Sequence, residues 1–128
     1  MQQAFVMKTE VSGQGRPLVL VPGGLTGWMS WKPHAERLSA DHRVVRVQLL
    51  NVDLGLQKER LPDDYSVSME VRALSAALDK EGIGEADFAA WSFGAEITLS
   101  FAIANPGRVR TLTLRKFVAK KLERCQRS

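Results

Sequence analysis

The pentapeptide Ala90-Trp91-Ser92-Phe93-Gly94 constrains the fold of this chain more than any other segment. It joins a strand-like apolar run, residues 87–91, to a helix-like apolar run, residues 95–104. A serine on a sharp turn between strand and helix presents its hydroxyl at the edge of a sheet. The glycine two residues later lets the helix pass close to the turn. The alternative interpretation is a serine that only N-caps the helix.

The composition indicates an ordinary globular domain. The 128 residues suffice for one domain with a sizeable core, and 45% of them are hydrophobic. No apolar run approaches the length of a membrane span, and the first eight residues lack the pattern of a signal peptide. With one cysteine, Cys125, and no Cys/His cluster, we expect no disulfide and no metal site. A cytoplasmic location is the resulting expectation.

The basic charge of the chain is concentrated in residues 115–128, which hold six of its 18 Lys and Arg side chains. The remaining part is nearly neutral and carries no basic footprint for nucleic acid. Four apolar tail residues at helical spacing predict a basic amphipathic helix: Phe117, Val118, Leu122 and Cys125. Such a tail could dock on a membrane surface or acidic partner, cover an edge strand, or be the product of a frameshift.

Apolar runs alternate with turn residues along the rest of the chain. Strands are predicted at residues 5–11, 18–21, 44–50, 87–91 and 111–114, the first of them antiparallel and near an edge. Helices are predicted at residues 31–40, 66–82 and 93–105, and a polar loop at 51–64. This alternation predicts an α/β fold, a three-layer sandwich with a mostly parallel sheet.

Two turns fall at the carboxyl ends of predicted parallel strands, where such sheets bind ligands. Acyl transfer needs a nucleophile, a base and donors for an oxyanion. The turn Gly23-Gly24-Leu25 could offer backbone N–H groups, and Phe93 could offer another beside Ser92. A plain turn that ends a strand is the alternative interpretation of the glycine pair.

The order of five segments resembles the α/β-hydrolase superfamily, in its serine-nucleophile, esterase- and lipase-like branch, over about residues 4–114. These segments resemble the strand and oxyanion turn, the start of the first helix, the loop after the next strand, the nucleophile elbow, and the following helix end and strand. They are residues 18–24, 28–33, 53–55, 90–94 and 105–114. The chain has Ala90 where the usual elbow has glycine, and Pro22 where members commonly have histidine.

The resemblance implies a truncated α/β-hydrolase fold. Residues 1–114 would form the N-terminal part of a hydrolase domain, and residues 115–128 a basic tail that is predicted to be helical. Ser92 would be the nucleophile. Backbone N–H groups of two residues would form the oxyanion hole, and two glycines would shape the turns: Gly24 and Phe93 as donors, Gly23 and Gly94 as supports.

Other residues of the resembling segments are assigned to structure. Asp53 is expected to be structural rather than catalytic. Trp28 and Trp31 are expected to pack in the core or on the surface rather than to line a pocket.

The family's triad runs serine, acid, histidine along the chain. After Leu114 the sequence has one acid, Glu123, and no histidine. The two histidines, His34 and His42, precede the serine and are expected on a helix surface and in a turn. The resemblance thus implies an ester or acyl hydrolase that is impaired.

Two alternatives stay open beside that function. One is a non-catalytic, truncated remnant or interaction module, and the other is a surface-binding protein that acts through its basic tail. No cofactor is expected, because neither a phosphate-binding glycine loop nor a metal cluster occurs in the sequence. The expected partners are a small-molecule ester or acyl substrate if the chain is active, no nucleic acid, and a second copy through an exposed sheet edge.

Overall fold

A computed structural model describes residues 5–24 and 27–115, the last of these by its backbone alone. The predicted tail helix lies outside the described residues. The strands are β1 (Thr9–Ser12), β2 (Arg16–Val21), β3 (His42–Val47), β4 (Ala86–Trp91) and β5 (Val109–Arg115). The α-helices are α1 (Lys32–Leu38), α2 (Leu50–Leu56), α3 (Val67–Lys80) and α4 (Phe93–Ala104). Two 3₁₀ turns, Gly27–Trp31 and Pro106–Arg108, precede α1 and β5.

The five strands form one sheet in the order β1-β3-β2-β4-β5. β1 is antiparallel to β3, and every other pair is parallel. This confirms the predicted α/β class with a mostly parallel sheet. β5 lies at the opposite edge from β1, and its outer side pairs with no other strand of the described residues. Association of two copies through that edge stays a prediction.

The direction of each crossover places the helices on two faces. From β2 the chain moves through α1 to β3 on one side, and from β3 through α3 to β4 on the other side. Because crossovers between parallel strands are right-handed, opposite directions put α1 and α3 on opposite faces of the sheet. The crossover through α4 runs in the same direction as that of α3, so both helices share a face. Three layers result.

Alternation along the strands supplies a core on each face. On β2, Val19 and Val21 pack in the large cluster under α3 and α4, while Leu20 packs with Trp31 and Ala35 on the α1 face. These side chains are buried. Within residues 5–24 and 27–115, no helix is long and apolar enough to cross a membrane.

The first half of the predicted polar loop 51–64 is a helix, so that prediction is wrong there. Leu50 and Leu54, one helical turn apart, are buried and anchor α2 to the sheet. The strand prediction for residues 44–50 ran three residues too far for the same reason, since β3 ends at Val47. By contrast, Ser66 caps α3 as predicted, because its side chain accepts from the Met69 N–H.

The carboxylate of Glu70 explains why α2 forms. Glu70 lies on α3, is fully buried, and accepts hydrogen bonds from the backbone N–H groups of Leu50 at 2.8 Å and Asn51 at 3.2 Å. These are two of the donors that a helix leaves unpaired at its start. The hydroxyl of Tyr65 donates a third bond at 2.6 Å. Glu70 thereby ties the start of α2 to α3 and to the loop before it.

The start of α4 lies against the end of β2. A Cβ atom on Gly94 would lie 2.1 Å from the carbonyl oxygen of Pro22 and 2.8 Å from that of Val21. Both obstacles are backbone atoms, which cannot rotate away. Glycine is therefore required for α4 to begin at this place.

We expect Tyr65→Phe to lower the free energy of unfolding by about 2 kcal/mol, because it removes one donor from a buried carboxylate. Chemical denaturation at pH 7 measures the change. The matched control is Thr111→Val, which removes a hydroxyl donor from the carboxylate of Asp87 at an exposed site. A loss no larger than in this control would contradict the role given to the Glu70 network.

The same pair predicts a pH dependence. Burial, and then the hydrogen bond and charge of Glu70, raise the pKa of Tyr65 above its usual value of 10.0. A pKa raised by folding stabilises the protein below the unfolded pKa, and that stabilisation is lost as the pH rises through the folded pKa. The stability difference between wild type and Tyr65→Phe should hold constant to about pH 10 and shrink above it. A difference that grows above pH 10 would contradict this sign.

We expect Gly94→Ala to destabilise the fold by about 3 kcal/mol, because the new methyl group must push α4 away from β2. The matched control is Gly55→Ala in α2, where a Cβ would meet no atom within 4 Å. That substitution should raise stability by about 0.5–1 kcal/mol, since alanine favours a helix over glycine. Thermal melting of both variants and wild type measures these changes. Equal melting temperatures for Gly94→Ala and wild type would show that α4 does not approach β2 this closely.

Candidate active site

Ser92 occupies the turn between β4 and α4 in a strained backbone conformation. Its φ is 58° and its ψ is −123°. Among the described residues, only Ser92 and Lys58 have a positive φ without being glycine. Such a conformation costs on the order of 1–3 kcal/mol and persists only where the surrounding structure enforces it. The turn is therefore a sharp, strained strand-to-helix turn in its backbone geometry.

The side chain of Ser92 does not cap α4. No hydrogen bond joins its Oγ to the N–H groups of the helix's first turn, and Oγ bonds to no other described residue. Ser92 stands at the N-cap position of α4, but the interpretation that its side chain caps the helix is wrong. The residue is half-buried and stands at the carboxyl end of β4.

The Gly23–Gly24 turn lies directly beside Ser92 and Phe93. The register of β2 and β4 pairs Val21 with Ala90, so the two strands end at the same level. A Cβ on Gly23 would lie 3.3 Å from the Cβ of Ser92 and 3.9 Å from its Oγ. A Cβ on Gly24 would lie 3.2 Å from the Phe93 ring. The structure thus brings together the four glycine and aromatic residues that the sequence assigned around Ser92: Gly23, Gly24, Phe93 and Gly94.

Two buried polar side chains bind the 3₁₀ turn Gly27–Trp31 to the end of β3, and sequence reasoning missed both. Gln48 accepts a hydrogen bond from the Trp28 N–H at 3.0 Å, and Arg46 donates to the Trp28 carbonyl at 3.3 Å. Arg46 also pairs with Glu10 of β1. The sequence signal that could have found them is a polar residue within the apolar run 44–50. A buried polar group needs a specific hydrogen-bond partner, so such a residue indicates a defined contact.

The two tryptophans pack as expected. Trp31 is 6% exposed and lies in the core of the α1 face. Its ring contacts Trp91 edge-on, with ring centroids 5.4 Å apart. Trp28 is half-buried. Its backbone N–H and carbonyl form the hydrogen bonds with Gln48 and Arg46 described above.

Neither histidine is placed as a base for Ser92. His34 is exposed on α1, and its ring packs edge-on against Trp31. His42 begins β3, pairs in register with Arg16 at the start of β2, and hydrogen-bonds to Asp41 at 2.7 Å. Since Ser92 follows the opposite end of a parallel strand six residues long, the length of the sheet, roughly 20 Å, separates the two.

Asp53 has the contacts of a structural residue, as expected. Its carboxylate pairs with Lys8 at 2.9 Å and accepts from the Gln57 amide at 3.1 Å. The first contact joins α2 to the segment before β1, and the second connects Asp53 to the residue that caps the end of α2.

Asn51, a third residue that the sequence did not single out, lies against the glycine turn. Its Nδ2 would be 3.4 Å from a Cβ on Gly24. Its Oδ1 is buried and accepts no hydrogen bond from the described residues. The only signal in the sequence is its place just after the strand that neighbours β2.

Comparison with known proteins agrees with this fold. No protein-family model matches the chain. A 2-hydroxy-6-oxo-2,4-heptadienoate hydrolase of Pseudomonas putida is 35% identical over 105 residues, which are 80% of this chain and 37% of that protein. The chain spans less than two fifths of the length of the curated relatives it matches.

Solved structures show the same fold. An α/β hydrolase from Sphaerobacter thermophilus shares 29% identity at a TM-score of 0.67, over 84% of this chain and 40% of that one. An esterase from a marine microorganism reaches a TM-score of 0.77 at 19% identity, over 87% of this chain and 41% of that one. With the sheet order and the strained serine turn, these similarities show that the chain belongs to the α/β-hydrolase superfamily.

Proposed function

We propose that this chain is the nucleophile-bearing part of an ester or acyl hydrolase, with Ser92 as the nucleophile. The backbone conformation of Ser92 carries the proposal. The strained φ and ψ stand at a non-glycine residue, and among the described residues its hydroxyl neither caps the helix nor forms another hydrogen bond. We take this strain to serve the placement of a hydroxyl at the carboxyl end of the sheet.

The reaction follows from the groups around that hydroxyl. Ser92 Oγ attacks the carbonyl carbon of the substrate, a new C–O bond forms, and the serine proton passes to a base. The backbone N–H groups of Gly24 and Phe93 donate to the oxygen on which negative charge develops. The leaving group departs with a proton, and water then hydrolyses the acyl-serine to release the acid.

The base and the acid of the triad come from outside the described residues in this proposal. His42 is at the opposite end of the sheet, and the ring of His34 packs on Trp31. The elbow and oxyanion turn alone should give a residual rate, roughly a thousandfold above water. Turnover like that of a complete hydrolase requires a histidine supplied by further chain or by a second polypeptide.

The substrate class in this proposal is a small molecule with an electrophilic carbonyl group. Esters fit the mechanism directly. The relative from Pseudomonas putida is a hydrolase of a hydroxy-oxo-heptadienoate, so an oxo acid is a second substrate class to test. A cytoplasmic location, which the single cysteine favours, belongs to the same proposal.

We expect a fluorophosphonate probe to form one covalent adduct on the purified chain, mapped by intact mass and peptide analysis to Ser92. The reason is that the phosphonyl oxygen occupies the oxyanion position, so the N–H groups that stabilise an acyl intermediate also stabilise the adduct. Labelling should be slow, with a rate that rises with pH as more serine alkoxide forms.

Two variants serve as controls for this labelling. Ser92→Ala should abolish the adduct, and Ser100→Ala, which changes another serine of α4, should leave it intact. A folded wild-type protein with no adduct, or an adduct that persists in Ser92→Ala, would refute Ser92 as the nucleophile. The first of these results would favour the non-catalytic interpretation of the chain.

A further inference from the structure

We infer that Asn51 is a positioning residue of the oxyanion turn, an inference that rests on the proposed function for its catalytic meaning. Two side chains fill the space in which another residue at position 24 would carry its Cβ. The Nδ2 of Asn51 lies 3.4 Å from that Cβ position, and the Phe93 ring lies 3.2 Å from it. Glycine has more backbone freedom than any other residue, so a glycine that must hold its N–H in one direction needs neighbours that restrict its movement.

Asn51 can provide such a contact because its own backbone is fixed. Its N–H donates to Glu70 at 3.2 Å, and the N–H of Leu50 donates to the same carboxylate at 2.8 Å. Glu70 is fully buried, and the Tyr65 hydroxyl completes its bonds at 2.6 Å. A chain of short contacts therefore runs from α3 through the start of α2 to the glycine turn.

The side chain of Asn51 is not explained by the stability of the fold. Its Oδ1 is buried without a donor among the described residues, which is unfavourable for folding. We therefore expect that removal of the amide leaves the fold about as stable as before, and the inferred role in positioning the turn rests on the proximity of Nδ2 to Gly24.

The experiment compares wild type with Asn51→Ala by ¹⁵N relaxation and thermal melting. We expect the order parameter of the Gly24 amide to fall from near 0.85, typical of rigid backbone, to below about 0.6 in the variant. The order parameter of Val19, in the middle of β2, should not change. The melting temperature should stay the same or rise.

The matched control is Asn105→Ala, at the far end of α4. Asn105 Nδ2 donates to the Phe101 carbonyl at 3.2 Å, so this variant loses a hydrogen bond of the same amide type away from the turn. It should lower the melting temperature slightly and leave Gly24 rigid. The rate of Ser92 phosphonylation, measured on the same samples, should fall about tenfold in Asn51→Ala and remain unchanged in Asn105→Ala.

A conservative variant separates packing from charge. Asn51→Asp keeps the size of the side chain, so Gly24 should remain rigid. Its added negative charge beside the oxyanion site should slow phosphonylation of Ser92 at neutral pH, and protonation at lower pH should diminish this difference from wild type.

Three results are distinguishable. An unchanged Gly24 order parameter in Asn51→Ala overturns the inference. A general loss of order and stability in that variant also overturns it, since Asn51 would then support the whole fold. If Gly24 alone loosens while wild type forms no adduct at Ser92, the positioning role is supported and the proposed nucleophile is the part that fails.

Discussion

The arrangement of the site depends on the contact between the start of α4 and the end of β2. β2 and β4 are neighbours in parallel register, so both end at the same level of the sheet. The helix that follows β4 can then begin only if it passes over the carbonyl groups of Val21 and Pro22. Gly94 allows this passage. Without it the helix would shift outward and carry Ser92 and Phe93 away from the glycine turn.

Packing elsewhere holds the strained serine in place. Ile97 and Phe101, on the buried side of α4, are fully buried against the sheet. The ring centroids of Phe101 and of Phe88 on β4 are 5.5 Å apart. The hydroxyl of Thr98 donates a hydrogen bond to the Gly94 carbonyl at 2.7 Å. Burial of two large side chains contributes roughly 3–6 kcal/mol, more than the strain at Ser92 costs. The free energy gained by burying these side chains of α4 thus exceeds the local strain energy of the Ser92 turn.

Much of this fold could be predicted from the sequence because its signals are local. Continuous apolar runs marked the inner strands, and spacing of three and four marked α3. The serine turn was found because it joins two such runs. α2 was missed because its cause is remote in sequence: the carboxylate of Glu70, some twenty residues away, pairs its first N–H groups. Gln48 and Asn51 were missed for the same reason, since a polar residue acquires its role only when the fold supplies a neighbour.

The polarity of the sheet also decides from where a base can approach Ser92. Only groups at the carboxyl edge of the parallel strands can reach it, which excludes His42 at the amino edge. β5 is parallel to β4, and their register pairs Arg115 with Trp91, the residue before the serine. The carboxyl end of β5 therefore lies beside the turn that carries Ser92. If Ser92 acts as the proposed nucleophile, the acid and the histidine must reach its Oγ from this edge of the sheet.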